Sequence, residues 1–250
     1  SELSDLVLNN NSSCFDAALP DIFASGAFPE LTRLQSTYNT FPPNKIIAIA
    51  HCSHLTELDL SSNCLGWHNA GQCVVPLLEQ CTRITDLNLA RNFLERDGVG
   101  ELASALRSCV SLRRLNLSTN MLEDEGAEKI AEEMESARFG QQLEALSLNG
   151  CLLGAGGVQR LVKALGGCPR LAELALGNNV FGDEGAIALA DLQRCSGLTD
   201  LKLDDSRFSR VGTARMLWLA ATCTQIQRLD LSDKGGPLEV FAASADWLEG

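Results

Sequence analysis

The chain has 250 residues, with 32 acidic side chains against 20 basic ones and a formal net charge of −12; 45% of it is hydrophobic and 5% aromatic. That apolar share is ample for a core and excludes a disordered linker, while the acidity disfavours nucleic acid and anionic membrane surfaces, where Lys and Arg must replace counterions. No stretch approaches the roughly 18 uncharged apolar residues of a membrane span, and the start at Ser1-Glu2-Leu3-Ser4-Asp5 lacks the basic region of a signal peptide.

Taken in chain order, one pattern, LxxLxLxxN, accounts for the expected elements. It begins weakly with Leu3, Leu6, Leu8, Asn11 and with Leu31, Leu34, Ser36, Asn39. Regular copies follow: Leu55, Leu58, Leu60, Asn63, then Ile84, Leu87, Leu89, Asn92, then Leu112, Leu115, Leu117, Asn120. The next are Leu143, Leu146, Leu148, Cys151, then Leu171, Leu174, Leu176, Asn179, then Leu198, Leu201, Leu203, Ser206. The ninth is Ile226, Leu229, Leu231, with Lys234 in the Asn place. The steps between copies are 28, 24, 29, 28, 31, 28, 27 and 28 residues.

Each copy has a physical reading. The LxL segment alternates with period two, as in a short strand. The Asn can bond the backbone of the following turn, so stacked copies can form a ladder. A loop follows with Gly98, Gly126, Gly157, Gly185 or Gly212 (Gly71 slightly later in the third copy), where glycine is expected to permit a tight helix entry. Helical spacing comes next, as in Val99, Leu102, Ala103, Leu106 or Val158, Leu161, Val162, Leu165. Such a unit buries its apolar side only by stacking. The expected fold is therefore an α/β solenoid of about nine copies, a curved parallel sheet inside and helices outside.

One domain over 1–250 is expected, with internal differences. Residues 1–54 should be irregular, because 12–30 hold Pro20 and Pro29 and the short 41–54 connection holds Pro42-Pro43. Residues 55–234 should be regular. In 235–250, Pro237, Leu238, Phe241, Ala245 and Leu248 suit a closing helix. No cap precedes the first strand, so the expectation is a fragment or a covered end.

The run LxxLxLxxNxL, a loop, Gly and then ALxxC resembles leucine-rich repeats of the ribonuclease-inhibitor type, over residues 3 to about 234. The resemblance implies a non-catalytic scaffold that binds proteins, as a subunit or segment of a larger intracellular assembly. Two other roles occur among such proteins. One is a GTPase activator resembling the Ran-directed type, whose long acidic tail has no counterpart here, since 235–250 hold only Glu239, Asp246 and Glu249 as acids. The other is an immune-type ligand sensor, which needs a nucleotide-binding domain outside these residues.

Ten cysteines include no CxxC. Cys52, Cys81, Cys109, Cys168, Cys195 and Cys223 each stand three residues before a repeat's first Leu or Ile, and Cys151 stands in the ladder. A small, weakly polar thiol suits burial there. The reading is a reduced, intracellular chain.

No catalytic, cofactor or metal constellation survives inspection. Cys52, His54, Cys64 and His68 offer zinc-ligand types, but a strand at about 3.3 Å per residue separates Cys52 from Cys64. Gly154-Ala155-Gly156-Gly157 follows a strand but has Gln159 where a dinucleotide fingerprint needs its last Gly. His51, His54 and His68 accompany no GxSxG.

The strand positions that face outward are the third, fifth, seventh and eighth of each copy, and they hold ten acids against five bases. Candidate partner-binding residues there are Glu57, Asp59, Asp86, Arg114, Asn116, Ser147, Glu173, Asp200, Lys202, Asp204, Asp205, Arg228 and Asp230. Small side chains floor the centre from Ala145 to Gly177, and acids gather at the C-terminal end. This is a solvated sheet face or a seat for a partner's basic segment. On the rim, the residue after the ladder position is Cys64, Phe93, Met121, Leu152 and Val180 in five successive copies. These form an apolar ridge or pack among the loops, and the accessibility of Phe93 and Met121 decides which. The acids of 123–135 favour the helix dipole in the first turn, and the rest read most simply as a solvated helix face, the other reading being a convex seat for a basic partner.

Overall fold

A computed structural model describes residues 2–11, 19–39, 43–68, 70–136 and 139–233. The expected closing helix in 235–250 and the Asn-equivalent Lys234 lie outside the described residues, as does Pro42.

Every copy supplies one three-residue strand: β1 (Asp5–Val7), β2 (Arg33–Gln35), β3 (Glu57–Asp59), β4 (Asp86–Asn88), β5 (Arg114–Asn116), β6 (Ala145–Ser147), β7 (Glu173–Ala175), β8 (Asp200–Lys202) and β9 (Arg228–Asp230). They form one parallel sheet in sequence order. The register matches the repeat, with Leu58 opposite Leu34 and Leu87 opposite Leu58. Helices return the chain between strands: α1 (Leu19–Ala24), α2 (Pro43–Ile49), α3 (Ala70–Gln80), α4 (Arg96–Leu106), α5 (Glu123–Ser136), the short α6 (Phe139–Gln142), α7 (Ala155–Leu165), α8 (Gly182–Leu189) and α9 (Arg210–Thr222). Neighbouring helices pack on one another, α5 on α7 and α3 on α4.

The core lies between the two layers. Leu58, Leu60, Leu87, Leu89, Leu115, Leu117, Leu146, Leu148, Leu174, Leu176, Leu201 and Leu203 are all buried, each stabilising the fold by about 2 kcal/mol. Leu6, Leu8, Ile226, Leu229 and Leu231 are only half-buried, because β1 and β9 each have a strand on one side alone.

The ladder is continuous over most of the solenoid. Asn120 accepts from the backbone N–H of Asn92 (3.0 Å) and of Leu94 (3.1 Å), and its Nδ2 donates to Leu89 O (3.0 Å) and Leu117 O (2.7 Å). Asn179 accepts in the same way from Cys151 and Leu153. Asn39, Asn63 and Asn92 each accept an N–H from the copy before. Cys151 fills one rung by directing its thiol to Leu117 O (3.3 Å). At Ser206 the side chain is too short, and its buried hydroxyl has no partner among the described residues. Ser36, in a leucine place, is buried and accepts from Asn39 Nδ2.

The glycines that open the helices act through space, not through conformational freedom. Gly126, Gly157, Gly185 and Gly212 have no positive φ. A Cβ on Gly185 would overlap the Phe181 ring, and one on Gly212 the Asp183 carboxylate. Positive φ falls instead on the residue before each ladder position: Asn10, Tyr38, Ser62, Arg91, Thr119, Gly150, Asn178 and Asp205.

Candidate protein-binding surfaces

The third positions stand in register across the sheet, from Asp5 and Arg33 to Asp200 and Arg228. Three arginines there pair with acids of neighbouring copies. Arg33 lies 4.0 Å from Asp5 and 3.3 Å from Glu57; Arg228 lies 3.8 Å from Asp200. Arg114 reaches Asp86 on β4 and, across Ala145 of β6, Glu173 on β7, at 3.5 Å each. The small side chain of Ala145 is what lets the guanidinium span that strand. These pairs are exposed, so each contributes at most about 1 kcal/mol.

The fifth positions hold the turns. Asp59, Asn116 and Asp230 each accept, through Oδ1, the backbone N–H two residues on, from Ser61 (2.9 Å), Ser118 (3.0 Å) and Ser232 (3.0 Å). Strands β2 to β7 line a concave trough of about 330 Å³, whose walls include Glu57, Asp59, Asp86, Arg114, Asn116, Ser147 and Glu173. The small-residue floor is therefore not bare: Arg114 extends across Ala145 to Glu173, and the Asp204 carboxylate lies against Gly177. Lys202, Asp204, Asp205, Arg228 and Asp230 belong to the β8 and β9 copies, beyond that trough. There Asp200 leaves Oδ1 without a hydrogen bond, although that atom is shielded from water.

The rim residues protrude. Relative exposure is 40% for Phe93, 38% for Met121, 57% for Leu152 and 66% for Val180; Cys64 is intermediate. The backbone beneath them is held, since Met121 N–H donates to Leu94 O (2.9 Å) and Val180 N–H to Leu153 O (3.1 Å). Phe93 and Leu152 sit at φ +54° and +61°, where a side chain with a Cβ is strained by about 1 kcal/mol or more.

On the outer face, the α5 acids serve mostly as ties. Arg160 on α7 lies 3.6 Å from Glu128 and 3.4 Å from Glu135, and Lys129 lies 3.2 Å from Glu132. Glu133 is buried and takes a two-pronged hydrogen bond from Arg107.

Three features escaped the sequence reading. Asp124 accepts the N–H of Gly154 (2.7 Å) at the start of α7. Asp183 accepts from the N–H groups of Ser209 (2.9 Å) and Gly212 (3.1 Å), and from the Ser209 hydroxyl, at the start of α9. That hydroxyl bond, chiefly, holds the Asp183 carboxyl below its ordinary value. An acid in one copy thus caps the next copy's helix. Thirdly, Thr32, Thr56, Thr85 and Thr199 each send a hydroxyl to a carbonyl of the copy before, at 3.1 to 3.2 Å. An acid two places before Gly in Asp124-Glu125-Gly126 and Asp183-Glu184-Gly185 was the available signal.

The eight cysteines whose side chains are described are unpaired, and seven of them are buried. Burial pushes Cys81, Cys109 and Cys168 up to about 12, and Cys52, Cys151 and Cys195 up to about 11. Among the described residues no three His, Cys, Asp or Glu side chains converge as a metal set would, and no helix is long and apolar enough to cross a membrane.

A family model described as Leucine Rich repeat matches residues 51–66, 108–131 and 167–190. No curated protein matches the sequence. Among similar solved structures is Leiomodin-1 Actin-Binding Site 2, 15% identical, with a TM-score of 0.52, covering 60% of this chain and 86% of that one. The identity is low, and the likeness concerns the fold. Repeat spacing, nine sequential parallel strands, the asparagine ladder and the family match converge on one assignment: the chain is a leucine-rich-repeat protein.

Proposed function

We propose that this solenoid is a non-catalytic scaffold of the ribonuclease-inhibitor-like kind, whose concave face binds a basic segment of a protein partner within a larger assembly. The observation that carries the reading is the C-terminal end of that face. Asp200, Asp204, Asp205, Asp230 and Asp233 gather there, against Lys202 and Arg228 as the bases at the same outward positions. A partner's Lys or Arg offsets the local excess of negative charge. Nearer the centre, Glu57, Asp86 and Glu173 pair with Arg33 and Arg114 and shape the trough. Nine strands about 4.8 Å apart give a face roughly 40 Å long, enough for a standard interface. A similar solved chain is itself named for binding a protein, actin, which supports the class of activity. The unpaired, buried thiols suit a reducing compartment.

The test is capture of the partner with intact chain, then titration against D204K/D205K. Binding at least about tenfold weaker, with a flatter salt dependence, is expected. Unchanged affinity and salt slope would dispose of the basic-segment reading.

A further inference from the structure

The apolar rim is a different surface from the acidic concave end, and it departs from what the repeat needs locally. The residue after the ladder position lies in a surface loop, where a polar side chain or glycine meets no penalty. Four successive copies place Phe93, Met121, Leu152 and Val180 there, all substantially exposed. Two of them, Phe93 and Leu152, also hold positive φ, a conformation that Asn or Gly adopts with less strain. Backbone preference does not explain Phe93 and Leu152, burial does not explain Leu152 and Val180, each more than half exposed, and backbone hydrogen bonds at Met121 and Val180 fix the ridge before any partner arrives.

We infer that this ridge is a docking site for one amphipathic α-helix of a partner, carrying an apolar stripe and a basic flank. Spacing supports the helix. Strands about 4.8 Å apart set the ridge residues at about that interval, close to the helical rise of 5.4 Å per turn. A helix lying along the rim thus offers one apolar side chain per copy over four copies, with a mismatch of only about 2 Å end to end. An extended strand, at about 3.3 Å per residue with alternating sides, presents a same-side residue every 6.6 Å or so and loses register sooner.

Charge supports the basic flank. Just beyond the ridge, toward the outer helices, stand the exposed acids Glu95, Glu123, Glu125 and Glu184. Basic side chains on one edge of the docked helix meet this row, while the opposite edge meets the mixed positions Arg91, Thr119 and Asn178. The arrangement pairs the apolar stripe of an amphipathic helix with an apolar ridge and sets an electrostatic selector along one side.

The probe is a synthetic peptide of about four helical turns, with one leucine per turn and lysines along one flank. Two controls accompany it, a scrambled peptide and one with glutamates replacing the lysines. Backbone amide shifts of isotope-labelled full chain locate binding. Expected are shifts centred on Phe93, Met121, Leu152 and Val180, weaker binding of both controls, and at least about tenfold loss with F93N/L152N. Because Asn suits positive φ, F93N/L152N should melt no lower than the parent, which separates lost docking from lost folding. D204K/D205K should leave this binding intact and so distinguishes the rim from the concave site. Shifts confined to the concave face, equal binding of the scrambled or glutamate peptide, or affinity unchanged in F93N/L152N would each overturn the inference.

Discussion

Replacing Asn120 by alanine measures what one rung of the ladder is worth. Its Oδ1 is the acceptor for two buried N–H groups, on Asn92 and Leu94, and alanine leaves both without a partner. An orphaned buried donor costs about 1–3 kcal/mol. The acceptor side loses less. Leu89 O keeps the Nδ2 of Asn92 (3.0 Å), whereas Leu117 O is left with the weak thiol donor of Cys151. Two orphaned donors and one impoverished carbonyl give about 4 kcal/mol. For a domain of this size that corresponds to a fall in melting temperature of roughly 10 °C. Chemical denaturation gives the free energy, and amide exchange should quicken first at Asn92 and Leu94, since repeats couple mainly to their neighbours. Thr85→Val is the companion measurement: it removes a half-buried hydroxyl whose single proton is shared between Thr56 O (3.1 Å) and the Asp86 carboxylate (3.0 Å), and about 1 kcal/mol is expected. If N120A costs no more than T85V, the ladder is decoration and the satisfaction argument fails.

Two further outcomes follow from the same structure. Ser206→Asn should stabilise the chain by about 1–2 kcal/mol, because the longer side chain reaches the rung that the unpartnered Ser206 hydroxyl leaves empty; a melting temperature at or below the parent's would show that the C-terminal rung has no room for it. The seven buried thiols should resist alkylation at neutral pH until the chain unfolds, since burial both blocks access and raises six of them to about 11 or 12. The sign of the linked pH effect follows. A thiol ionises more readily in the unfolded chain than in the folded one, so its contribution is whole below about pH 8.5 and is lost as pH rises toward the folded values. Native-state labelling of those seven at neutral pH, or stability flat from pH 8 to 11, would contradict this.

The periodic part of the structure was readable because one side-chain pattern is imposed nine times. Leucines at the fourth and sixth positions have a single reading once the step near 28 residues is seen, and Asn at the ninth completes the strand. Cysteines before the first Leu were equally legible as small buried groups. What was not legible depends on contacts between copies with no fixed spacing. Asp124 reads as one more acid of an exposed helix, and both it and Asp183 act as caps on the following helix. Gly185 and Gly212 read as turn glycines and are instead clearance for Phe181 and Asp183. Arg114 reads as one more exposed charge, yet it crosses a neighbouring strand because Ala145 lets it pass. Local pattern reveals which face a residue takes; it does not reveal which side chain on the next copy will meet it.

That distinction also ranks the two surfaces as sites. A concave acid has an internal use available whenever an arginine or a turn N–H lies one copy away, and Asp59, Asp86 and Glu173 take it. Exposure and charge alone are therefore weak indicators there, and the weight falls on the number of aspartates that the β8 and β9 copies bring together. The rim is the stronger case by the same logic. Leu152 stands more than half exposed at positive φ, and the backbone bonds of its loop are ones that an Asn or Gly would leave in place. A repeat protein can satisfy its stacking with many residues at that position, and a docked helix is the use proposed for the strained, exposed leucine there.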